Sequence, residues 1–495
     1  MRPALALALI PLVLGAGCSS DSDPAGADTA GGGDSVDTVN IDVTDTGETA
    51  DAPNDTTGDT GDGVEQDTND TNESDTSPTG DTLDTVDTPD SPDAIEEVSE
   101  DTTTADTNAP EAEVTADPCP VVGRYERCST ACGPYQLPMR QCLSSGWDEC
   151  ACLTFGHDRI ASGGGSERAG FVDLGAGGRY ACYADDGALV LAYQPRGGSW
   201  SVQPIGVDGV HCHLAPGAEG EALLAYGASN APERGHSFHY RTVSGGVMGP
   251  VTVAGNTPNY RGVGPRIARA PNGDLHAISV EERSSGNSLR TYQLTAGTTQ
   301  NLEDLQRPPF EQTIAICDDG TQLIAWADMA PDIWITYIGA RVTTSWRSKF
   351  LPWEVQYLGQ GMALDCRGGR SYGVMQDLSR GQLVFFTSAT PADPASYLSY
   401  EVPTGGSVGR FSDLHVDSGN IWVSWVTTDG EVRLSVRPAD LSSDWVSYKV
   451  VDRGQMSTGV LGGDVELAIG EDGLPVLMFF GVVGADEGPW TATLR

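Results

Sequence analysis

From about residue 158 to residue 495 the chain alternates short apolar runs with turns that close on glycine. An apolar strand leads into such a turn, and a second apolar strand rich in aromatics follows. The copies are Tyr180 to Gly187 before ALVLAY, Cys212 to Gly220 before EALLAY, Ile267 to Gly273 before DLHAISV and Ile314 to Gly320 before TQLIAW. Three more follow: Met362 to Gly369 before RSYGVM, Leu414 to Gly419 before NIWVSW, and Leu467 to Gly473 before LPVLMFF. The turn glycines are 33, 53, 47, 49, 50 and 54 residues apart. No long stretch repeats every 3.6 residues, so the pattern predicts hairpins rather than helices.

Units of this length, each with room for three or four strands, predict an all-β fold, a seven-bladed β-propeller over 158–495. Six or eight blades also fit the spacing. A tight turn inside a blade needs positive φ, which glycine adopts without steric cost. The short first interval predicts three strands in the first blade. A strand near Asp158–Ala161 is expected to complete the last blade and close the ring, which leaves no free sheet edge.

Cysteines give the register a second support. Cys317 and Cys366 each lie three residues before the turn glycine of consecutive units. Cys182 and Cys212 are placed on the inner strands of the first two units. Both pairs, Cys182–Cys212 and Cys317–Cys366, are expected within disulfide reach. Gly-His and Trp-Asp pairs do not recur from unit to unit, and Gly-Gly pairs are only scattered. The units resemble the irregular propellers of the sialidase-like group in architecture, without that group's S-x-D-x-G-x-x-W box; architecture by itself implies no function.

Upstream, residues 119–153 hold six cysteines: Cys119, Cys128, Cys132, Cys142, Cys150 and Cys152. So short a segment cannot bury a sufficient core and needs cross-links. Zinc sites favour paired C-x-x-C or C/H spacing, which these gaps lack, so three disulfides are expected, with connectivity open among 15 pairings. Cys128-Ser-Thr-Ala-Cys132-Gly133, then Arg140-Gln-Cys142 and Trp147, resembles a thrombospondin type 1 repeat. That resemblance implies a thin three-stranded ribbon with stacked Trp and Arg, and extracellular adhesion. A plain disulfide spacer is the alternative.

Charge changes the picture further upstream. Residues 19–118 contain 30 Asp or Glu, no Lys or Arg, and no Phe, Trp or Tyr. Of the total net charge of −42, residues 119–495 carry −13. The dipeptide Asp-Thr recurs 13 times in the acidic segment. Such a segment has too little apolar surface to offset chain entropy and is expected to be a disordered linker, with an r.m.s. reach of roughly 50–60 Å. Its threonines permit O-glycosylation, and no calcium-loop spacing occurs in it.

Residues 1–18 read as a signal peptide: Arg2, an apolar stretch from Ala4 to Leu14, then Gly-Ala-Gly before Cys18. Cysteine after small residues resembles a bacterial lipoprotein signal, which implies a lipid on Cys18. Removing Cys18 from the 11 cysteines leaves an even ten, suited to disulfides in an exported protein. The expectation is a lipid-anchored protein of the bacterial outer membrane or cell surface, meeting the membrane through its anchor only; ordinary secretion is the rival. Outside the N-terminus no apolar run reaches the ~18 residues of a membrane helix. Net negative charge excludes nucleic acid as a partner.

Candidate chemistry is sparse. His211 and His213 alternate around Cys212 and share one strand face, with His236 and His239 nearby; strand-edge histidines beside a disulfide are the simpler reading, and no metal or cofactor is predicted. Glu281, Glu282, Asp328 and Asp332 follow inner strands and would serve acid–base chemistry if they converged. Trp326, Trp334, Trp346, Trp353, Trp422, Trp425 and Trp445 are expected mostly between blades, with a few free to stack on sugars. The first functional expectation is a monomeric, non-catalytic binding or adhesion head for glycan or protein. The alternative is a polysaccharide-acting hydrolase or lyase.

Overall fold

The strand Asn420–Thr427, NIWVSWVT, is apolar on both faces for a physical reason. Side chains on a strand alternate between its faces. Ile421, Val423 and Trp425 pack with Leu383 and Phe385 of the preceding sheet. Trp422 and Val426 pack with Leu477 and Phe479 of the sheet that follows. A strand covered on both sides loses the simple in–out alternation of a half-buried one.

The structure is a computed structural model describing residues 121–495, except 164–167, 210, 231–234, 256–262, 284–285, 306–310, 331–332, 342–345, 356–360, 378, 418 and 453–463. Cys18, the acidic segment 19–118 and Cys119 lie outside the described residues. All described residues belong to the second of two compact units, Asp106–Arg495.

The described strands form seven sheets. Five are four-stranded antiparallel meanders beginning at Gly170–Asp173, Val263–Arg269, Gln312–Ile316, Ala363–Arg367 and Val408–Val416. The sheet beginning at Cys212–Pro216 has two outer pieces, Val247–Met248 and Thr252–Gly255, on one partner strand. The last sheet runs through Val465–Ile469, Pro475–Val483 and Asp486–Leu494. Its next strand, Ala151–Arg159, comes from the other end of the described chain, pairing Trp490 with Arg159 and Leu494 with Phe155. The first strands of the sheets contact one another in chain order, and the last contacts the first. They surround a common axis, with an apolar layer between neighbouring sheets. This is a β-propeller arrangement. Gly220, Gly273, Gly320, Gly369 and Gly473, in the turns after first strands, have φ between 73° and 90°, where L side chains are strained.

Two expectations are corrected in the first sheet. It has four strands, Gly170–Asp173, Arg179–Asp185, Ala188–Gln194 and Ser201–Asp208, not three. The hairpin around Gly187 joins its second and third strands, whereas the inner turn is Gly175–Gly177 followed by Gly178 at φ 85°. Counted from Gly178, the step to Gly220 is 42 residues, in line with the other units. Cys182 therefore sits on a second strand and Cys212 on a first strand, yet the two sheets pack closely enough to join them. Cys317–Cys366 links the fourth and fifth sheets.

The boundary between the cysteine module and the propeller falls inside one strand. Ala151–Arg159 also pairs with Gln136–Leu143, matching Gln136 to Thr154 and Met139 to Ala151. Disulfides Cys128–Cys150 and Cys132–Cys152 hold the module, and Cys142 is disulfide-bonded as well. The Arg140 guanidinium lies 4.8 Å from the Trp147 ring centre. The module also bonds to the propeller backbone: the Tyr125 N–H donates to the Asp472 carbonyl at 2.5 Å, and the Lys449 N–H to that of Pro134 at 2.9 Å.

Candidate active site in the axial channel

Among the described residues, the first strand of each sheet has no strand partner on its axial side. Its N–H and C=O groups there need other partners. Polar side chains of the inner strands and the residues before them, largely reaching between neighbouring sheets, supply several. One Asp413 carboxylate oxygen accepts from the Leu467 N–H at 2.7 Å and the other from that of Leu414 at 2.8 Å. Asp464 accepts from the Ala169 N–H at 2.6 Å, and Asp365 from the Val416 N–H at 2.8 Å. His213 Nδ1 accepts from the Ile267 N–H at 3.3 Å. Gln312 donates to the carbonyls of Val263 and Gly264, and the Ser412 hydroxyl to that of Gly361.

These residues surround a cavity of about 100 Å³, lined by ionisable groups from around the ring: Arg168, His213, Arg266, Glu311, Asp413, Asp464 and Glu466. Spacing of two along a strand places Asp464 and Glu466 on the same face. Arg168 pairs with Glu311 at 3.2 Å, both buried. Glu466 is half-buried and, among the described residues, takes no backbone N–H as its neighbours do.

Burial dominates the electrostatics. It pushes the Asp413 carboxyl up to about 6, against the backbone N–H bonds and the Arg266 guanidinium. The same cause raises Asp464 to about 7, helped by Glu311 and Asp413. Glu466 is raised well above the usual carboxylate range by burial and by the adjacent Asp464 and Asp413. Burial and Arg266 together hold His213 well below the usual histidine range, so its imidazole is neutral. A carboxyl that keeps its proton beside one that has lost it is an acid–base pair set by environment. Glu466 fits the acid and Asp413 the base.

The raised carboxyls have a consequence for stability. Folded protein keeps protons that the unfolded chain releases, so their contribution is full below about pH 4 and is lost as pH rises through about 6 to 7. The thermal midpoint is expected to fall across that window, and less steeply in Asp464→Asn; equal slopes for the two proteins would contradict the assignment.

The carboxylates picked from the sequence are not the ones that converge. Glu281 is buried against Arg290 and accepts from the Ser288 hydroxyl within its own sheet. Burial raises Glu303 and Tyr337, and the nearby Asp328 adds to both shifts. Neither Glu281 nor Asp328 lines the channel cavity. Both lie on second strands, which stand outward from the axis, whereas first strands line it. The Glu282 side chain and Asp332 lie outside the described residues, as do the side chains of His236, Trp334 and Trp353. His239 bonds the Ser237 hydroxyl at 2.7 Å. Trp326, Trp422 and Trp425 are fully buried. Of the residues missed, Asp464 and Glu466 carried one sequence signal, polar positions two apart at the start of an otherwise apolar strand, whereas Asp413 lies inside its strand and carried none.

No protein-family model and no curated protein sequence matches the chain. Among solved structures, an α-L-arabinanase of Penicillium chrysogenum complexed with arabinobiose matches with 13% identity and TM-score 0.43, covering 57% of this chain and 92% of its own. The polysaccharide lyase Uly1 matches at 10% identity and TM-score 0.44, over 68% of this chain and 90% of its own. The Aleuria aurantia lectin, in complex with α-methyl-L-fucoside, matches at 11% identity and TM-score 0.39, over 61% of this chain and all of its own. Likeness at this level carries no functional information.

Proposed function

We propose that this protein is an exported polysaccharide hydrolase, with a seven-bladed propeller as its catalytic head. Cys18 carries the lipid, residues 19–118 form the tether, and the thrombospondin-like module stiffens the join. One observation carries the catalytic reading: Asp413, Asp464 and Glu466 meet in one axial cavity with their carboxyls displaced upward. Glycoside hydrolysis needs a proton donor for the leaving oxygen and a carboxylate to activate water or attack the sugar. Glu466 takes the first role and Asp413 the second. The cavity is small, so it takes the reacting linkage and its water while the polymer lies outside.

Recognition without cleavage is the second reading. It is favoured by the backbone bonds that already occupy Asp413 and Asp464. Incubating the full-length protein with a panel of neutral and acidic polysaccharides, reading retention and released sugar together, separates the two. Release is the expected result. Retention without release supports the second reading, and the absence of both contradicts the two readings together.

A further inference from the structure

A larger groove lies between the last and first sheets, away from the channel. Its volume is about 480 Å³, inside the roughly 300–1,000 Å³ range of small-molecule sites. Its walls are built from pairs of opposite charge. Arg179 Nε donates to Asp173 at 2.7 Å, Arg196 pairs with Glu471 at 3.4 Å, and Arg495 pairs with Asp158. Each pair is neutral, but a guanidinium has five donors and a carboxylate about four acceptor sites, so each pair retains hydrogen-bonding capacity of both kinds.

That wall selects a chemistry. A hydroxyl donates and accepts at once and can meet both members of a pair. An anion would have to displace a carboxylate from its arginine. Trp200 also lines the groove. It is half-buried, with its body packed on the apolar cluster that includes Phe171 and Ala181, which fixes the ring before a ligand arrives. An aromatic body beside polar groups suits the apolar C–H face of a sugar ring. We propose that this groove is a binding site for neutral oligosaccharide, separate from the channel.

The inference shares with the hydrolase reading only its ligand class, and it is tested with cleavage silenced. Full-length Glu466→Gln protein is titrated calorimetrically with xylotetraose, mannotetraose, cellotetraose and maltotetraose, and with oligogalacturonate as the acidic comparator. At least one neutral tetraose is expected to bind. Trp200→Ala should weaken that binding about tenfold or more, whereas Trp200→Phe should retain most of it. Arg196→Ala, at an exposed position, should weaken it while leaving the thermal midpoint in place. If Trp200→Ala does not fold, the Phe and Arg196 variants decide. Binding of no neutral tetraose, binding indifferent to these variants, or preference for oligogalacturonate overturns the proposal. Binding by a wild-type protein that cleaves nothing would remove the hydrolase reading and leave this one standing.

Discussion

Replacing Glu466 with Gln is expected to lower sugar release by roughly 10²–10⁴-fold, the usual contribution of a positioned general acid. The amide keeps the size and polarity of the side chain but has no acidic proton to give. Removing an ionisable carboxyl from this site does not cost stability at neutral pH. Its charged form is the one disfavoured there, because burial and the carboxylates of Asp464 and Asp413 oppose it. The variant should therefore melt no lower than the parent while losing activity. Asp413→Asn changes both catalysis and scaffolding. Its amide oxygen can accept only one of the Leu467 and Leu414 N–H groups, its NH2 faces the other, and the base is gone. A Glu466→Gln protein as active as the parent would remove the acid from the mechanism.

The second large effect is structural. Trp425→Ala is expected to cost about 3–5 kcal/mol, as large aromatic-to-alanine changes in a core do. Trp425 is fully buried between the fifth and sixth sheets, near Val423 and Phe385. Its indole N–H donates to the Ser435 hydroxyl at 2.9 Å, and the Arg433 guanidinium lies 5.6 Å from its ring centre. Truncation leaves a cavity and an arginine without its ring. Val247→Ala is the control, since Val247 is 72% exposed on an outer strand and should change stability by less than about 0.5 kcal/mol. Chemical denaturation followed by fluorescence reads both. Equal midpoints for the two variants would contradict the packing described for the sheet interface.

The repeated hairpins were legible because their backbone requirement is written as glycine: Gly220, Gly273, Gly320, Gly369 and Gly473 all need positive φ. The Cys317–Cys366 link was legible for a related reason, two equal positions in neighbouring units. The first unit misled because Gly178 and Gly187 both close turns between short strands, and only pairing partners tell an inner hairpin from an outer one. The channel was not legible. Arg168, Glu311 and Glu466 meet only when strands far apart in the chain close a ring, and no local pattern encodes that distance. Asp464-Val465-Glu466 reads locally as a polar strand start, yet the ring turns its two carboxyls into the channel cavity. Trp200 follows Gly197-Gly198-Ser199, a context with no sign of a site; the groove exists only because the last and first sheets lie side by side.

The most direct test of the catalytic account is the pH profile of sugar release by the full-length protein and by Glu466→Gln. The account predicts a bell for the parent. Release should rise as Asp413 loses its proton near pH 6 and decline at higher pH as Glu466 loses its own. The variant should show only a residual rate without the alkaline limb. Release from no polysaccharide at any pH, or the same bell in both proteins, would contradict it.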